Sequence, residues 1–129
     1  MTAQQSKVLR LMLVDDHALV RQSLAEVLTN HESVQVVGQA ADGLEALELA
    51  DRVQPDVVLM DVSMPRMGGL EATRKLKERM PQVRVIGLSM HISQDMAQSM
   101  LNAGASAFLT KGCSVPDLLA AVLSGDDPQ

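Results

Sequence analysis

Four short apolar runs of this 129-residue chain end in side chains that can do chemistry. Two runs end in carboxylates, one in a hydroxyl and one in an amine, contributed by Asp15, Asp16, Asp61, Ser89 and Lys111. Carboxylates that lie close together repel one another, and their burial costs free energy unless a cation compensates them. An all-oxygen site with open positions suits Mg²⁺, which keeps several waters and binds one or two carboxylates together with a phosphate. The sequence therefore predicts a site for Mg²⁺ and a phosphoryl group.

The amine and the hydroxyl of this set suit the oxygens of a phosphoryl group. Lys111 offers a compact positive charge to one oxygen, and Ser89 can donate its hydroxyl proton to another. An aspartate at the centre of such a site can act as a nucleophile and form an acyl phosphate. Asp61 is the candidate, because it ends the buried run Val57–Asp61 just before a turn at Pro65. On that run alone, Asp61 fits a cap of the turn or of the next helix equally well.

The apolar runs have the composition of parallel strands, which are near-continuous in apolar residues because helices cover both faces of the sheet. We expect five strands, at residues 8–14, 34–40, 57–61, 83–88 and 107–110. Amphipathic patterns follow each strand and predict five helices. These are residues 18–28, a helix opened by Asp42 and Glu45, residues 70–80, a short helix ended by Gly104 and a helix opened by Ser114.

Three faces of these helices are informative. The basic residues of the third helix are expected to form a solvated face: Arg74, Lys75, Lys77 and Arg79. The apolar residues of the last helix are expected to face the core: Val115, Leu118, Leu119, Val122 and Leu123. The inner side of the second helix is expected to carry Leu44, Leu47 and Ala50.

Strands that alternate with helices imply the α/β class and a parallel sheet with right-handed crossovers. We expect a flavodoxin-like fold, with a five-stranded parallel sheet of order 2-1-3-4-5 and five helices divided between its two faces. In that order the first and third strands are neighbours. Asp15, Asp16 and Asp61 should therefore converge at the carboxyl edge of the sheet, with Ser89 and Lys111 on the next two strands.

Taken in sequence order, the same residues and their neighbours form a set of motifs that is typical of a known family. It consists of the acid pair Asp15-Asp16, Asp61 followed by Met64-Pro65, then Ser89, and residues 104–111 (GASAFLTK). With this constellation the chain resembles a response-regulator receiver domain of two-component signalling. Residues 85–91 (VIGLSMH) are most similar to the branch whose receivers precede a C-terminal helix-turn-helix DNA-binding domain. A receiver fragment of a longer regulator and a single-domain protein both remain open.

The resemblance implies roles for individual residues. Asp61 would accept a phosphoryl group from the histidine of a sensor histidine kinase in a Mg²⁺-dependent reaction, with the domain catalysing only its own phosphorylation and dephosphorylation. Asp16, Asp61 and the backbone carbonyl of Ser63 would bind Mg²⁺ directly, and Asp15 would assist through water. Lys111 would bind the phosphoryl group.

A conformational switch of Ser89 and Phe108 is also implied. We expect the phosphoryl group to draw Ser89 inward and Phe108 to rotate, which would favour a homodimer and control an output such as transcription. Two residues depart from the common pattern of the family. Gly112 stands where many receivers have proline, so a trans peptide bond is expected there. Met90 stands where a small residue is frequent, which puts the lifetime of the acyl phosphate in question.

Three alternatives stand beside this interpretation. An aspartate-nucleophile phosphatase would need a second acid two residues after the nucleophile, and Ser63 occupies that position. A degenerate receiver-like module would bind partners without taking phosphate, but it would be free to lose acids that are present here. His17 could be a metal ligand or a phosphoryl carrier, although imidazole prefers softer metals than Mg²⁺ and a polar residue at a helix start is the simpler explanation.

Composition and charge limit the number of domains and the kinds of partner that we expect. A hydrophobic content of 47% suits one domain, expected at residues 8–124 between a polar tail at 1–7 and a tail or linker at 125–129. The net charge of −5 argues against nucleic-acid binding by this chain. Neither a run long enough to span a membrane nor an apolar signal segment is visible, so we expect a cytoplasmic protein with no membrane partner.

Overall fold

One parallel sheet forms the centre of the molecule in the computed structural model, which describes residues 8–64, 66–91 and 93–124. Its strand order is β2-β1-β3-β4-β5, and every pair of neighbours is parallel. The strands are β1 (Leu9–Val14), β2 (Val34–Ala40), β3 (Val57–Asp61), β4 (Arg84–Ser89) and β5 (Ala107–Thr110). The predicted order is confirmed, and no predicted strand boundary differs from the observed one by more than one residue.

Five helices connect and follow the strands. They are α1 (Ala18–Thr29), α2 (Gly43–Val53), α3 (Gly69–Arg79), α4 (Gln94–Ala103) and α5 (Val115–Leu123). Asp42 caps α2 as expected, because its Oδ1 accepts a hydrogen bond of 2.9 Å from the backbone N–H of Glu45. The side-chain Oε1 of Glu45 in turn accepts a hydrogen bond of 2.6 Å from the backbone N–H of Ala41. Gly104 ends α4 with a φ of 114°, a conformation that glycine adopts without steric cost.

The two faces of the sheet bury separate apolar clusters, since successive side chains of a strand point to opposite faces. Met12 and Val14 of β1 lie on the side that α2 and α3 cover. Leu11 and Leu13 lie on the side that α1 and α5 cover. The α4 helix contacts α3 and β5, and its Met100 is fully buried. All five residues of β3 are buried, as a central strand covered on both faces requires.

Three side chains differ from the prediction. Leu44 is 43% exposed, because it lies about 100° around α2 from the buried Gly43. Val115 is 46% exposed at the first turn of α5, whereas Leu118 and Val122 are buried.

Lys77 is not on a solvated face: its Nζ donates hydrogen bonds of 2.7 and 2.6 Å to the carbonyls of Pro81 and Val83. These carbonyls follow the end of α3, where a basic side chain can reach them, and burial lowers the pKa of Lys77.

Across the described ranges, no helix has both the length and the apolar character needed to cross a bilayer. The predicted tails at residues 1–7 and 125–129, and the turn residue Pro65, lie outside the described residues. The Lys111–Gly112 peptide bond is trans, as expected.

Candidate functional site

The carboxyl ends of β1 and β3 bring the predicted acids together. The strand register pairs Val14 with Met60, so Asp15 and Asp61 occupy neighbouring places at the edge of the sheet. Each of these two residues is only 2% exposed, whereas Asp16 is exposed. Asp15 is held in place because its backbone N–H donates to the carbonyl oxygen of β2's last residue at 3.0 Å. Two carboxylates are therefore buried side by side.

Lys111 supplies the positive charge between these two acids. Its Nζ lies 2.8 Å from Asp15 Oδ2 and 3.3 Å from Asp61 Oδ1, and its side chain is 6% exposed. The residue follows β5, and its backbone N–H donates a hydrogen bond of 2.8 Å to the carbonyl of Ser89. The pairing of β4 with β5 therefore fixes the point from which the lysine side chain reaches across the sheet edge to the acids.

The electrostatics of the cluster are dominated by burial. Burial and, to a smaller extent, the nearby charge of Asp15 raise the pKa of Asp61 to about 6, although Lys111 acts in the opposite direction. Burial by itself lowers the pKa of Lys111, but its contacts with Asp15 and Asp61 outweigh burial and raise it. The cluster thus holds Lys111 as a cation and leaves the carboxylate form of Asp61 incompletely stabilised.

The residues present fit a divalent cation. Asp61 Oδ2 is buried and accepts no hydrogen bond from any residue that the structure describes. Such an atom costs free energy unless an ion or another partner satisfies it. One ligand atom each from Asp15, Asp16, His17 and Asp61 lie within 4.8 Å of one another. The carboxylate oxygens of this set are the ligands that Mg²⁺ prefers.

His17 contributes more to the site than its sequence position suggested. It is the N-cap residue of α1, as expected for a polar residue at a helix start, but its side chain makes no capping hydrogen bond. Its Nδ1 lies 3.3 Å from Asp15 Oδ1 and 3.2 Å from Asp16 Oδ1. Periodicity places His17 at the start of the helix, but it cannot show the direction in which the ring points.

The loop after β3 is packed so tightly that one position requires glycine. A Cβ atom on Gly69 would lie 2.2 Å from the carbonyl oxygen of Asp61, which is closer than two such atoms can approach. The backbone N–H of Gly69 also donates to the carbonyl of Val62 at 2.9 Å. The start of α3 therefore rests directly on the backbone that carries Asp61. Ser63 in this loop is exposed, and its N–H lies 3.4 Å from Asp61 Oδ1.

Ser89 and Phe108 lie on adjacent strands, but their side chains have different surroundings. The Ser89 hydroxyl donates a hydrogen bond of 2.8 Å to the carbonyl of His91, within the loop that follows β4. Phe108 is half-buried, and its ring lies against Gly87, where an added Cβ atom would be 2.5 Å from Phe108 Cδ1. Met90, next to Ser89, is 66% exposed. The hydroxyl predicted for the phosphoryl site is therefore engaged locally in this conformation.

The sequence prediction does not include an ion pair that lies in the loops after β2 and β3, at the same edge of the sheet as the acids. Arg66, in the loop after β3, donates from Nε to Asp42 Oδ2 at 2.9 Å and also from its terminal NH2 nitrogen. The backbone N–H of Glu45 and, after it, the guanidinium of Arg66 hold the pKa of Asp42 below its usual value. The pair ties the loop after β3 to the start of α2. No short-range sequence signal links residues 24 positions apart, so the prediction recognised the cap and missed the ion pair.

Comparison with known proteins places the arrangement in a family. The family model described as "Response regulator receiver domain" matches residues 11–123. The response regulator GacA of Pseudomonas viridiflava is 42% identical over 115 residues, which are 89% of this chain and 54% of that protein. The chain thus spans about half the length of the curated relatives it matches.

Several solved structures have the same fold as this chain. The signal receiver domain of the putative response regulator NarL from Mycobacterium tuberculosis has a TM-score of 0.87 and 35% identity, covering 92% of this chain and 95% of that chain. The CheX-CheY-BeF3-Mg+2 complex from Borrelia burgdorferi contains a chain that matches this one with a TM-score of 0.90 and 25% identity. The match covers 99% of this chain and 96% of that chain. The flavodoxin-like arrangement predicted from the sequence is therefore confirmed. The chain belongs to the response-regulator receiver domains of two-component signalling.

Proposed function

We propose that this chain is a phosphoacceptor domain in which Asp61 takes a phosphoryl group in a Mg²⁺-dependent reaction. The observation that carries the proposal is the position of Asp61, whose carboxylate is buried at the sheet edge with Lys111 Nζ 3.3 Å away. One of its oxygens, Oδ2, has no hydrogen-bond partner among the described residues. This oxygen is available for bonding, and the groups around it suit a phosphoryl oxygen and a cation.

The reaction conserves atoms and charge in a simple way. An Asp61 carboxylate oxygen attacks phosphorus and forms the acyl phosphate bond, while the bond from phosphorus to the donor breaks. With a phosphohistidine donor, the leaving imidazole takes up a proton from solvent. Lys111 binds an oxygen of the transferring group and opposes its negative charge, as Lys does at other phosphate sites. The domain thus catalyses only its own phosphorylation and, with water as nucleophile, its dephosphorylation.

Asp15, Asp16 and Asp61, with the backbone carbonyl of Ser63, are the residues we assign to Mg²⁺. When bound, the ion neutralises the carboxylates and the phosphoryl oxygens. The cluster supports this assignment, because three carboxylates and the Lys111 ammonium together carry a net charge of −2, which one dication cancels. The Borrelia burgdorferi chain of similar fold was solved in a complex that includes Mg+2 and BeF3.

The donor we infer is the phosphohistidine of a sensor histidine kinase, and the output is control of transcription. Membership in the receiver-domain family supports a histidine kinase as the phosphoryl donor. The relatives GacA, a response regulator, and DegU, a transcriptional regulatory protein, support transcription as the output. The match covers only about half of each of these relatives, and we propose that the output acts through a further domain that binds DNA. We place the receiver domain at residues 8–124, in the cytoplasm, and expect it to form a homodimer on phosphorylation.

Two other functions have less support. A phosphatase acting on separate substrates would need an acid where the exposed Ser63 stands. A degenerate binding module would have no reason to keep Asp15, Asp61 and Lys111 in one buried cluster.

The test is incubation with acetyl phosphate and Mg²⁺ followed by intact mass measurement. We expect one phosphate-sized mass gain in the wild type, none in Asp61→Asn, and none when a chelator removes Mg²⁺. Asp51→Asn is the matched control, because Asp51 is an exposed carboxylate of α2 whose ion pair with Arg79 lies on the surface. No mass gain in the wild type from acetyl phosphate or from any kinase would contradict the proposal.

A further inference from the structure

The ring of His17 lies over the acid cluster and has no part in the proposed phosphoryl transfer. The backbone N–H of His17 donates to Asp15 Oδ1 at 2.8 Å, which holds the residue against the cluster. Its Nδ1 is 3.3 Å from that same oxygen and 3.2 Å from Asp16 Oδ1. The side chain is 63% exposed, so the nitrogen approaches the carboxylates from the solvent side.

The two distances from His17 Nδ1 to the carboxylates are compatible with ligands around one transition-metal ion. Bonds of about 2.0–2.2 Å from zinc to nitrogen and oxygen, at tetrahedral angles, separate neighbouring ligand atoms by roughly 3.4 Å. The two distances from His17 Nδ1 are close to this value. The complete set, with one atom each from Asp15, Asp16, His17 and Asp61, spans no more than 4.8 Å.

A second observation points to a cation without reference to His17. Asp61 is 2% exposed, and its Oδ2 accepts no hydrogen bond within the described ranges. Lys111 compensates only one of the negative charges of Asp15, Asp16 and Asp61. A dication would satisfy both the buried oxygen and the remaining charge.

We propose that Asp15, Asp16, His17 and Asp61 form a mixed nitrogen and oxygen site that binds a borderline transition-metal dication such as Co²⁺, Ni²⁺ or Zn²⁺. The inference rests on the proposed Mg²⁺ site, because it uses the same carboxylates. Imidazole suits these metals, and their affinities for such ligands generally exceed that of Mn²⁺. His17 therefore determines which dications the cluster accepts, and a transition metal competes with Mg²⁺ for it.

The same distances have an alternative explanation, in which Nδ1–H of His17 donates hydrogen bonds to the two carboxylates. The two explanations predict opposite effects of removing the imidazole. If His17 is a ligand, its loss weakens transition-metal binding. If it is a hydrogen-bond donor, its loss frees Asp15 and Asp16 for a cation, and the affinity stays the same or rises.

The experiment titrates the full chain with Co²⁺, with and without competing Mg²⁺, by calorimetry and by proton NMR of the Co²⁺ form. His17→Asn is the test variant, since asparagine is a favourable N-cap residue and should preserve α1. His31→Asn is the matched control, because His31 lies beyond the other end of the same helix, where its Nδ1 accepts a hydrogen bond from Ser33 N–H.

We expect His17→Asn to lower Co²⁺ affinity at least about ten-fold, because even outer partners of metal ligands contribute about 10–100-fold. Mg²⁺ affinity should change less than about three-fold, since Mg²⁺ prefers oxygen ligands. A hyperfine-shifted imidazole resonance should appear in the wild type and His31→Asn and be absent in His17→Asn. Equal Co²⁺ affinity in the wild type and His17→Asn, or no shifted resonance in the wild type, would overturn the inference.

The two proposals fail in different ways. A protein that gains phosphate on Asp61 but shows no His17-dependent Co²⁺ affinity overturns the transition-metal site alone. A protein that binds Co²⁺ through His17 but takes no phosphate with Mg²⁺ overturns the proposed function alone.

Discussion

Asp61, the proposed phosphoryl acceptor, lies in surroundings that disfavour its charged form. Burial and the charge of Asp15 raise its pKa to about 6, against an ordinary value of 3.8. The folded protein therefore binds more protons than the unfolded chain between these pH values. Because the folded-state pKa is the higher one, this residue's contribution to stability is lost as the pH rises from about 4 to about 6. Above that window the metal-free protein holds an unfavourable carboxylate.

Asp61→Asn should consequently stabilise the metal-free protein at high pH. We expect a gain in the free energy of unfolding of about 1–3 kcal/mol at pH 8, where the upper figure corresponds to the full pKa difference. The gain should shrink toward pH 4, where the wild-type carboxyl is largely protonated. Urea denaturation at both pH values, in the presence of a chelator, measures it.

The control for this experiment is Glu78→Gln, which neutralises an exposed carboxylate of α3. It should change the free energy of unfolding by less than about 0.5 kcal/mol at either pH. An advantage of Asp61→Asn that stays constant from pH 4 to pH 8 would contradict the electrostatic explanation.

Lys111 is expected to act on the phosphoryl group more than on the metal ion. Lys111→Met keeps the apolar length of the side chain and removes its charge, so Mg²⁺ affinity should be kept or should rise. The rate of phosphorylation by acetyl phosphate should fall about 10- to 100-fold, which corresponds to the loss of a charged hydrogen bond of about 1.5–3 kcal/mol. The rate of intact mass gain at saturating Mg²⁺ measures this effect. Lys75→Met, on α3, is the control, and an unchanged rate in Lys111→Met would exclude the role.

At the scale of the elements, the contact between α3 and the loop after β3 positions the site. Gly69→Ala would place a Cβ atom 2.2 Å from the carbonyl oxygen of Asp61. We expect a loss of at least about 1–3 kcal/mol in the free energy of unfolding. Mg²⁺ affinity should fall as well, because the backbone of Asp61 has to move.

Gly112→Ala is the matched control for this substitution. A Cβ atom at Gly112 meets nothing within 4 Å, so the change should be neutral or stabilising by up to about 1 kcal/mol. Thermal unfolding and a Mg²⁺ titration of the two variants make the comparison. A Gly69→Ala protein as stable as Gly112→Ala would show that the tight packing around Asp61 is not required.

The elements themselves were predictable from local signals. The strands Val34–Ala40 and Ala107–Thr110 follow from apolar, β-branched runs between turn residues, and the α2 start follows from Asp42 and Glu45. Side-chain directions at helix ends were less predictable. Lys77 satisfies the carbonyls of a turn and does not face solvent, and that outcome depends on where α3 meets β4.

The sequence predicted which strand ends would meet at this edge of the sheet, whereas the functional roles assigned to their residues stay predictions. Parallel order alone brings Asp15 and Asp61 to one edge, and the structure places Lys111 between them. The ring direction of His17 and the ion pair of Arg66 with Asp42 arise from loop geometry, which no periodic pattern specifies. Ser89 is at the predicted strand end, but its hydroxyl bonds to the carbonyl of His91.

At the scale of the whole molecule, helices cover both faces of the sheet, and in the proposed switch a signal at the sheet edge reaches the surface through β4 and β5. Ser89 would have to exchange its hydrogen bond to His91 for one to the phosphoryl group, while Phe108 moves from its place against Gly87. Moving a two-state equilibrium from 1:99 to 99:1 takes about 5.5 kcal/mol of differential binding. A charged group held by Lys111, Ser89 and a cation can supply energy of this size.

We therefore expect beryllium trifluoride with Mg²⁺, which mimics a phosphoryl group, to shift the protein from monomer to dimer in sedimentation velocity. Ser89→Ala should reduce the dimer fraction, because it removes the hydroxyl that we propose to respond to the phosphoryl group. Thr29→Ala, which removes an exposed hydroxyl at the end of α1, is the control. A wild type that remains monomeric with the mimic would exclude dimerisation as the response.

The central claim is that Asp61 itself carries the phosphoryl group, and chemical trapping tests it most directly. Borohydride reduces an acyl phosphate to an alcohol, so a phosphorylated aspartate becomes homoserine and can be located by peptide mass spectrometry. After incubation with acetyl phosphate and Mg²⁺, we predict homoserine at position 61 and unmodified aspartate at Asp15 and Asp16. Homoserine at position 15 or 16, or none in a protein that has gained phosphate, would contradict the account.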